Sequence, residues 1–200
     1  MKKAVIYVHG RNGSADEADH YRRFFDETYD VIGFDYISEI PWEAKEEFCD
    51  YFNTIGKSYK NVLLIANSIG AYSSLISLSE KHIEKALFIS PIVDMEKLIL
   101  DMMKLADVTE AKLKKEQVIT LPFSRILSWK YFSYAKDNRI TWNVPTSILY
   151  GEKDHITSLD TITSFANKIN ARLTVMPDGE QWFHTREQME FLDNWIIENI

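Results

Sequence analysis

Six short apolar runs, rich in β-branched residues, are the feature that most constrains the fold of this chain. They lie at residues 4–8, 31–34, 62–66, 86–90, 146–150 and 173–176. Each run is almost continuously apolar, which is typical of strands buried on both faces of a sheet. Helical patterns separate most of the runs. This alternation predicts an α/β fold with about six mainly parallel strands and helices on both faces, because crossover connections join parallel neighbours.

The helical patterns are segments in which apolar residues recur every three or four positions. They lie at residues 21–28, 44–55, 69–78, 159–169 and 189–196. In the first of them, Tyr21, Phe24, Phe25 and Thr28 would share one face of a helix.

An insertion interrupts this rhythm between residues 90 and 146. A loop of that length without secondary structure of its own is uncommon in a compact domain. The segment contains helical patterns at residues 95–105 and 109–117, followed by an aromatic-rich stretch at 124–135. We therefore expect a single α/β domain over residues 1–200, with an inserted helical cap at about 92–143.

Composition narrows the possible partners. The chain has 23 Lys and Arg residues against 30 Asp and Glu residues, a net charge of −7, and no block of like charge. This argues against nucleic acid or an acidic membrane surface as a partner. No segment approaches the ~20 apolar residues of a membrane span, and the first apolar run is too short for a signal peptide. The sequence predicts a cytoplasmic protein and leaves the oligomeric state open. Its one cysteine, Cys49, is expected to be a buried structural thiol.

The stretch LLIANSIGA, residues 63–71, passes from a strand pattern to a helix pattern with almost no loop. Ser68 lies at the change, and the residues two before and two after it, Ala66 and Gly70, are small. Such a turn exposes a serine at the carboxyl edge of a sheet, and the following helix directs its positive end at it. Ser68 is therefore a candidate nucleophile, although a helix-capping serine fits this stretch alone about equally well.

Further motifs follow later strands. The fifth run continues as TSILYGEKDHI, which contains Asp154, and the sixth leads into MPDGEQWFHTREQ, which contains His184. Thr185 and Gln188 fit a capping box, so a helix is expected to begin beside His184. Asp94, after the fourth run, is a rival candidate for the acidic residue. The first run ends in YVHGRNGS, a glycine-rich turn that lacks the Lys-Ser/Thr ending of a phosphate loop.

These four motifs, in this order and after these strands, resemble the active-site motifs of the α/β-hydrolase superfamily. The resemblance covers almost the whole chain and implies an α/β-hydrolase fold. It implies a catalytic triad of Ser68, Asp154 and His184. It also implies an oxyanion hole formed by the backbone N–H groups of Arg11 and Ile69.

The chain departs from the family pattern at two positions beside Ser68. Ala66 replaces the first glycine of G-x-S-x-G, and Asn67 replaces the histidine, glycine or tyrosine more familiar there. The family's early antiparallel strands are not expected either, since the sequence begins on a run that predicts a parallel strand. His9, in the His-Gly loop, is expected to orient that loop through hydrogen bonds.

The resemblance implies a serine hydrolase that cleaves a small ester through an acyl-enzyme, without a metal or a cofactor. The aromatic stretch of the expected cap suggests an apolar pocket. The candidate substrate-binding residues are Asn12, Asn67, Trp129, Phe132 and Trp182. Thioesterase, lactonase, amidase, lysophospholipase and peptidase activities remain open on the same triad. A hydrolase-fold protein that binds a ligand without catalysis is the alternative from another class.

Overall fold

The computed structural model of the protein describes residues 2–122 and 126–200. The chain forms two compact units, one comprising Met1–Val93 with Thr141–Ile200 and the other Asp94–Ile140. The second unit falls within the insertion expected at about 92–143. The aromatic stretch expected at 124–135 begins outside the described residues.

The described residues contain eight strands. They are β1 (Lys3–Val8), β2 (Tyr29–Phe34), β3 (Val62–Asn67), β4 (Lys85–Ile89), β5 (Val118–Thr120), β6 (Ile126–Ser128), β7 (Thr146–Gly151) and β8 (Arg172–Met176).

One sheet in the first unit contains six of these strands, in the order β2-β1-β3-β4-β7-β8, and every neighbouring pair is parallel. The six predicted runs are confirmed as these strands. The inner strands β1, β3 and β4 are almost completely buried, whereas the edge strands β2 and β8 are partly exposed. Because parallel strands end at the same edge of a sheet, the motifs after β1, β3, β7 and β8 all lie at the carboxyl edge.

The helices of the described residues alternate with these strands. They are α1 (Ala18–Tyr21), α2 (Pro41–Ser58), α3 (Ser68–Ser77), α4 (Met95–Leu105), α5 (Glu110–Glu116), α6 (Trp129–Asp137), α7 (Leu159–Lys168) and α8 (Arg186–Asn199). None of the helices in the described ranges combines the length and the apolarity that crossing a bilayer requires.

The helix predicted at residues 21–28 is wrong. The helix α1 ends at Tyr21, a 3-10 turn covers Arg22–Phe24, and Phe25 is extended. Tyr21, Phe24 and Phe25 nevertheless all pack against the same apolar core. A tight turn therefore brings these rings to the core as well as a helix would, and their spacing alone does not distinguish the two.

The pair α2 and α3 shows how a helix face is buried. The stripe predicted in α2 is confirmed, since Ala44, Phe48, Phe52 and Ile55 are buried. Cys49 is half-buried rather than fully buried, and its Sγ donates to the carbonyl oxygen of Ser77, 3.2 Å away, at the end of α3. The thiol thus bridges two neighbouring helices.

The second unit contains α4, α5, an antiparallel hairpin of β5 and β6, and α6. The helices α4 and α5 agree with the sequence patterns. The aromatic-rich stretch at 124–135 was also expected to be helical, but residues Ile126–Ser128 form β6 and the helix α6 begins only at Trp129. The hairpin was not predicted. The backbone N–H of Trp129 donates to the carbonyl oxygen of Gln117, 2.8 Å away, which joins the start of α6 to the residue before β5. Lys114 lies over the ring of Trp129, 5.5 Å from its centroid.

Candidate active site

Ser68 lies on a sharp turn between β3 and α3. Asn67, the last residue of β3, has an extended backbone, and Ser68 has a φ of +52° as the first residue of α3. A non-glycine residue in this left-handed region costs about 1–2 kcal/mol. Backbone strain of this kind is concentrated at functional sites. The turn places the Ser68 side chain at the carboxyl edge of the sheet, where it is 9% exposed.

Two glycines make room for this turn. A Cβ atom added to Gly70 would lie 2.3 Å from the carbonyl oxygen of His9 and 2.9 Å from Cγ1 of Val8. One added to Gly10 would lie 3.3 Å from Cβ of Ser68. The loop after β1 therefore packs directly against the Ser68 turn. This explains why the residue at position 70 has to be small.

The loop of residues 9–13 is held in place by Tyr36. The imidazole of His9 stacks on the Tyr36 ring with centroids 4.3 Å apart, and the Tyr36 hydroxyl donates to the His9 carbonyl oxygen over 2.9 Å. The N–H of Gly13 donates to the carbonyl oxygen of Gly10 over 3.2 Å, and Asn12 in this turn has a φ of +62°. Arg11 and Asn12 are both exposed. The oxyanion role of the Arg11 and Ile69 N–H groups stays a prediction.

A polar network underlies the same turn. The Tyr7 hydroxyl donates to a carboxylate oxygen of Glu17, and the Asn67 side chain also bonds to this hydroxyl. Burial raises the pKa of Tyr7 far above its usual range, with further contributions from Tyr21 and Glu17, so the phenol stays protonated. No described residue bonds to Oδ1 of Asn67, although this atom is buried. The network fixes the residue before Ser68.

Asp154 lies in the loop after β7, at residues 152–158, which we call the acid loop. Its side chain is 8% exposed, and its Oδ1 accepts hydrogen bonds from the N–H groups of Ile156 and Thr157 over 2.7 and 3.1 Å. Its buried Oδ2 has no hydrogen-bond partner among the described residues. Burial raises the pKa of Asp154, and the two N–H groups lower it in part.

The loop after β8, residues 177–185, is here called the histidine loop. Hydrogen bonds join the start of the acid loop to residues 178 and 179 of this loop. The N–H of Lys153 donates to the carbonyl oxygen of Gly179 over 2.7 Å, and the N–H of Asp178 donates to Oε2 of Glu152 over 2.9 Å. A Cβ atom on Gly151 would lie 2.4 Å from the Glu180 carbonyl oxygen, so only glycine fits at the end of β7.

His184 lies at the end of the histidine loop, directly before α8. The predicted capping box is confirmed, with reciprocal hydrogen bonds between Thr185 and Gln188. The His184 imidazole is stacked on the Trp182 ring, with centroids 4.7 Å apart and planes at 21°. Its Nδ1 lies 2.7 Å from the Trp182 carbonyl oxygen and 3.4 Å from Oε2 of Glu180.

The three predicted triad residues thus share one sheet edge without bonding to one another. Among the described residues, Ser68 Oγ has a different partner, Gln181, whose Nε2 donates to it over 3.0 Å. Gln181 was not among the predicted site residues. Its only signal in the sequence was its position three residues before His184, which does not by itself indicate a contact with a serine 113 residues away.

The other predicted residues differ in their surroundings. Asp94, the rival acid, is exposed, and its Oδ1 accepts from the N–H of Lys97 over 2.9 Å at the start of α4, as a helix cap does. Phe132 is 1% exposed, which favours packing, and Trp129 is half-buried beside it with ring centroids 5.8 Å apart. Trp182 is 67% exposed. Substrate binding by these aromatic residues stays a prediction.

Away from Ser68, an open groove of about 570 Å³ lies along the edge strand β2. Its lining includes Asp16, Asp19, Arg22 and Asp30. None of the groups of His, Cys, Asp and Glu side chains in the described part of the chain is arranged to hold a metal ion. The groove contains no candidate nucleophile, so we place the candidate active site at the carboxyl edge.

No protein-family model and no curated protein matches the chain. Solved structures do match it. Est1E from Butyrivibrio proteoclasticus is 16% identical over 99% of this chain and 88% of that one, with a TM-score of 0.72, and a second Est1E structure holds ferulic acid. A lipase-esterase related protein from Clostridium acetobutylicum is 15% identical over 99% and 94%, with a TM-score of 0.66. A carboxylesterase structure from Nitrososphaera gargenis is 13% identical over 98% and 90%, with a TM-score of 0.63. At such identities the match is one of fold.

Proposed function

We propose that this chain, whose fold is that of the α/β-hydrolases, is a serine hydrolase that cleaves small carboxylic esters. The observation that carries the proposal is the left-handed backbone of Ser68, φ +52°, at a strand-to-helix turn on the carboxyl edge of the sheet. A helix cap does not need this conformation, since cap residues ordinarily have extended backbones. The names of the solved structures, which include esterases, add support for an ester substrate.

In the proposed reaction, His184 Nε2 takes the hydroxyl proton of Ser68 as Oγ attacks the carbonyl carbon of the ester. The N–H groups of Arg11 and Ile69 stabilise the resulting oxyanion. The carbon–oxygen bond to the alcohol then breaks, and His184 returns the proton to the leaving alcohol. Water repeats the sequence on the acyl-enzyme and releases the acid.

Asp154 is the proposed partner of His184 Nδ1. Its role is to hold the imidazole in the tautomer that leaves Nε2 free to accept a proton, and to stabilise the imidazolium that forms. Support comes from its burial, from its fixed Oδ1 and from its Oδ2, which no described residue binds. Acyl transfer through a serine by this route needs no metal or cofactor.

The proposed substrates are uncharged esters with an apolar acyl or alcohol group. Trp182 on the histidine loop is 67% exposed. Ile156 on the acid loop and Leu159 directly after it are 41% and 45% exposed. Exposed apolar side chains beside a site are suited to bind an apolar group. Aryl esters, including ferulate esters, are therefore suitable first substrates. Thioesters, lactones and amides belong in the same panel.

A ligand-binding protein without catalysis is the second candidate. The observation in its favour is that His184 Nδ1 bonds to the Trp182 carbonyl oxygen and not to Asp154. In such a protein the serine would not react with electrophiles.

A fluorophosphonate probe distinguishes the two candidates, because it phosphonylates only an activated serine. We expect the wild-type protein to be labelled once, at Ser68, and Ser68→Ala to be unlabelled. Ser79→Ala, which removes an exposed serine just beyond α3, is the matched control and should be labelled like the wild type. Absence of labelling in the folded wild-type protein would contradict the hydrolase proposal and favour the binding protein.

A further inference from the structure

We propose that Gln181 is a resting-state partner of the nucleophile, and that it exchanges places with His184 when an aryl group of the substrate occupies the face of Trp182. This inference rests on the proposed hydrolase function. It assigns roles to Gln181 and Trp182 that the triad alone does not require. Two contacts and one buried carboxylate oxygen carry it.

The first contact is the one on Ser68 itself. Nε2 of Gln181 donates to Ser68 Oγ over 3.0 Å, and the residue Ser68 is 9% exposed. A donor at this oxygen draws electron density from it, and this makes the hydroxyl a weaker nucleophile. The donor comes from the histidine loop, the same loop that carries the proposed general base His184. The contact therefore lowers the reactivity of Ser68 for as long as it persists.

The second contact engages Nδ1 of His184, the nitrogen that the proposed triad directs to Asp154. The imidazole is stacked on Trp182, and its Nδ1 lies 2.7 Å from the Trp182 carbonyl oxygen. Glu180 adds a carboxylate oxygen 3.4 Å from the same nitrogen. Both side chains of this last pair are about half exposed, so the ion pair contributes little, whereas the stacked ring and the short hydrogen bond define the position.

The third observation is a buried carboxylate oxygen of Asp154 that no described residue binds. Burying a polar atom without a partner is costly, and such atoms are rare in folded proteins. Oδ2 of Asp154 is one, although Oδ1 of the same group accepts two backbone hydrogen bonds. A donor that can reach this oxygen has to come from a neighbouring element. The histidine loop qualifies, because the N–H of Lys153 binds it at Gly179.

These contacts define two arrangements of the histidine loop. In the resting one, Gln181 binds Ser68 and His184 stacks on Trp182. In the active one, His184 Nδ1–H donates to Oδ2 of Asp154, its Nε2 accepts from Ser68, and Gln181 is displaced. No covalent bond changes between them. The imidazole occupies one face of Trp182 in the resting arrangement, so an aryl group that competes for this face favours the active one.

The test measures the second-order rate constant of phosphonylation by a fluorophosphonate that carries a small alkyl group and therefore does not compete for Trp182. Gln181→Met keeps the length of the side chain and removes the donor. We expect it to react about 2- to 10-fold faster than the wild type, the range that corresponds to one hydrogen bond of ordinary strength. Gln117→Met, at an exposed glutamine on the second unit, is the matched control and should react at the wild-type rate.

The possible outcomes distinguish a failure of the proposed hydrolase function from a failure of the resting contact. A wild-type protein that neither reacts nor hydrolyses esters would overturn the proposed function. A reactive wild type whose Gln181→Met variant reacts equally fast or more slowly would overturn only the resting contact. Proton NMR of the wild type provides a second measurement that needs no variant. The strongly downfield proton of an imidazole bonded to a carboxylate should be absent in the free protein and present after phosphonylation by a fluorophosphonate that carries an aryl group. Its presence in the free protein, or its absence after reaction with the aryl probe, would overturn the exchange.

Discussion

Ser68 combines a strained backbone with a polar side chain, and the two can be separated by substitution. Its φ of +52° is unfavourable for any residue with a Cβ atom and costs a glycine almost nothing. We expect Ser68→Gly to unfold at higher urea concentration than Ser68→Ala, with a difference of about 1–2 kcal/mol in the free energy of unfolding. Equal stability of the two variants would mean that Ser68 is unstrained in solution.

At the same scale, three carboxylates compete for the role of the triad acid. Asp154 is buried with an Oδ2 that no described residue binds, Glu180 lies near His184 Nδ1 in the resting arrangement, and Asp94 caps α4. We expect Asp154→Asn to lower kcat by up to about 10⁴-fold, as loss of the correct imidazole tautomer does elsewhere. Glu180→Gln and Asp94→Asn should each change kcat only a few fold. A larger loss in either of these variants would move the acid to that residue.

The burial of Asp154 also affects how the stability of the folded protein depends on pH. Because burial raises its pKa in the folded protein above the usual value of 3.8, the stability that this group contributes is complete below pH 3.8 and is lost as pH rises through the folded pKa. We therefore expect Asp154→Asn to stabilise the protein at pH 7 by about 1 kcal/mol. The gain should shrink as the pH approaches 4.

Urea unfolding of both proteins between pH 4 and pH 7 measures this gain. A loss of stability at pH 7 in Asp154→Asn would show that the carboxylate is paired in solution, which contradicts the resting arrangement.

At the scale of elements, the packing of the first loop against α3 depends on Gly70. A Cβ atom there would lie 2.3 Å from the His9 carbonyl oxygen, so the loop or the helix has to move. We expect Gly70→Ala to destabilise the protein by about 1–3 kcal/mol, the usual range for overpacking, and to reduce phosphonylation of Ser68. Gly56→Ala is the control.

Gly56 lies inside α2 with open space around its added Cβ atom. Alanine at this position should stabilise the protein by about 0.5–1 kcal/mol, because alanine favours helix. If Gly70→Ala has the same free energy of unfolding and the same rate of phosphonylation as the wild type, the close approach of loop and helix does not exist in solution.

The elements show what periodicity can and cannot predict. The strands of the main sheet were predictable because burial on both faces leaves an almost continuous apolar run. The long helices were predictable from their stripes. The hairpin of β5 and β6 was missed because each of its strands is three residues long, too short for a period to register. In the segment 21–28, the rings of Tyr21, Phe24 and Phe25 reach the core from the end of α1, a 3-10 turn and an extended residue. The spacing of apolar residues does not distinguish this arrangement from one helix.

At the scale of the whole molecule, the order of the motifs along the chain predicted where the candidate site lies. Parallel strands carry their following loops to one edge, so Ser68, Asp154 and His184 were expected together there. The sequence could not predict which hydrogen bonds these side chains form at that edge. Whether His184 bonds to Asp154 or stacks on Trp182 depends on hydrogen bonds between loops far apart in the chain, each similar in strength to its alternative. The contact of Gln181 with Ser68 is another hydrogen bond between residues far apart in the chain, and the sequence could not predict it for the same reason.

The central claim is that Ser68 forms an acyl-enzyme, and mass spectrometry tests it most directly. The protein is mixed with an excess of p-nitrophenyl acetate, quenched in acid within the first turnovers, and digested for peptide mapping. We predict one acetyl group on the peptide that contains Ser68, an initial burst of about one p-nitrophenol per protein molecule, and neither signal in Ser68→Ala. Hydrolysis of the ester without acetylation of Ser68, or equal acetylation in Ser68→Ala, would contradict the claim.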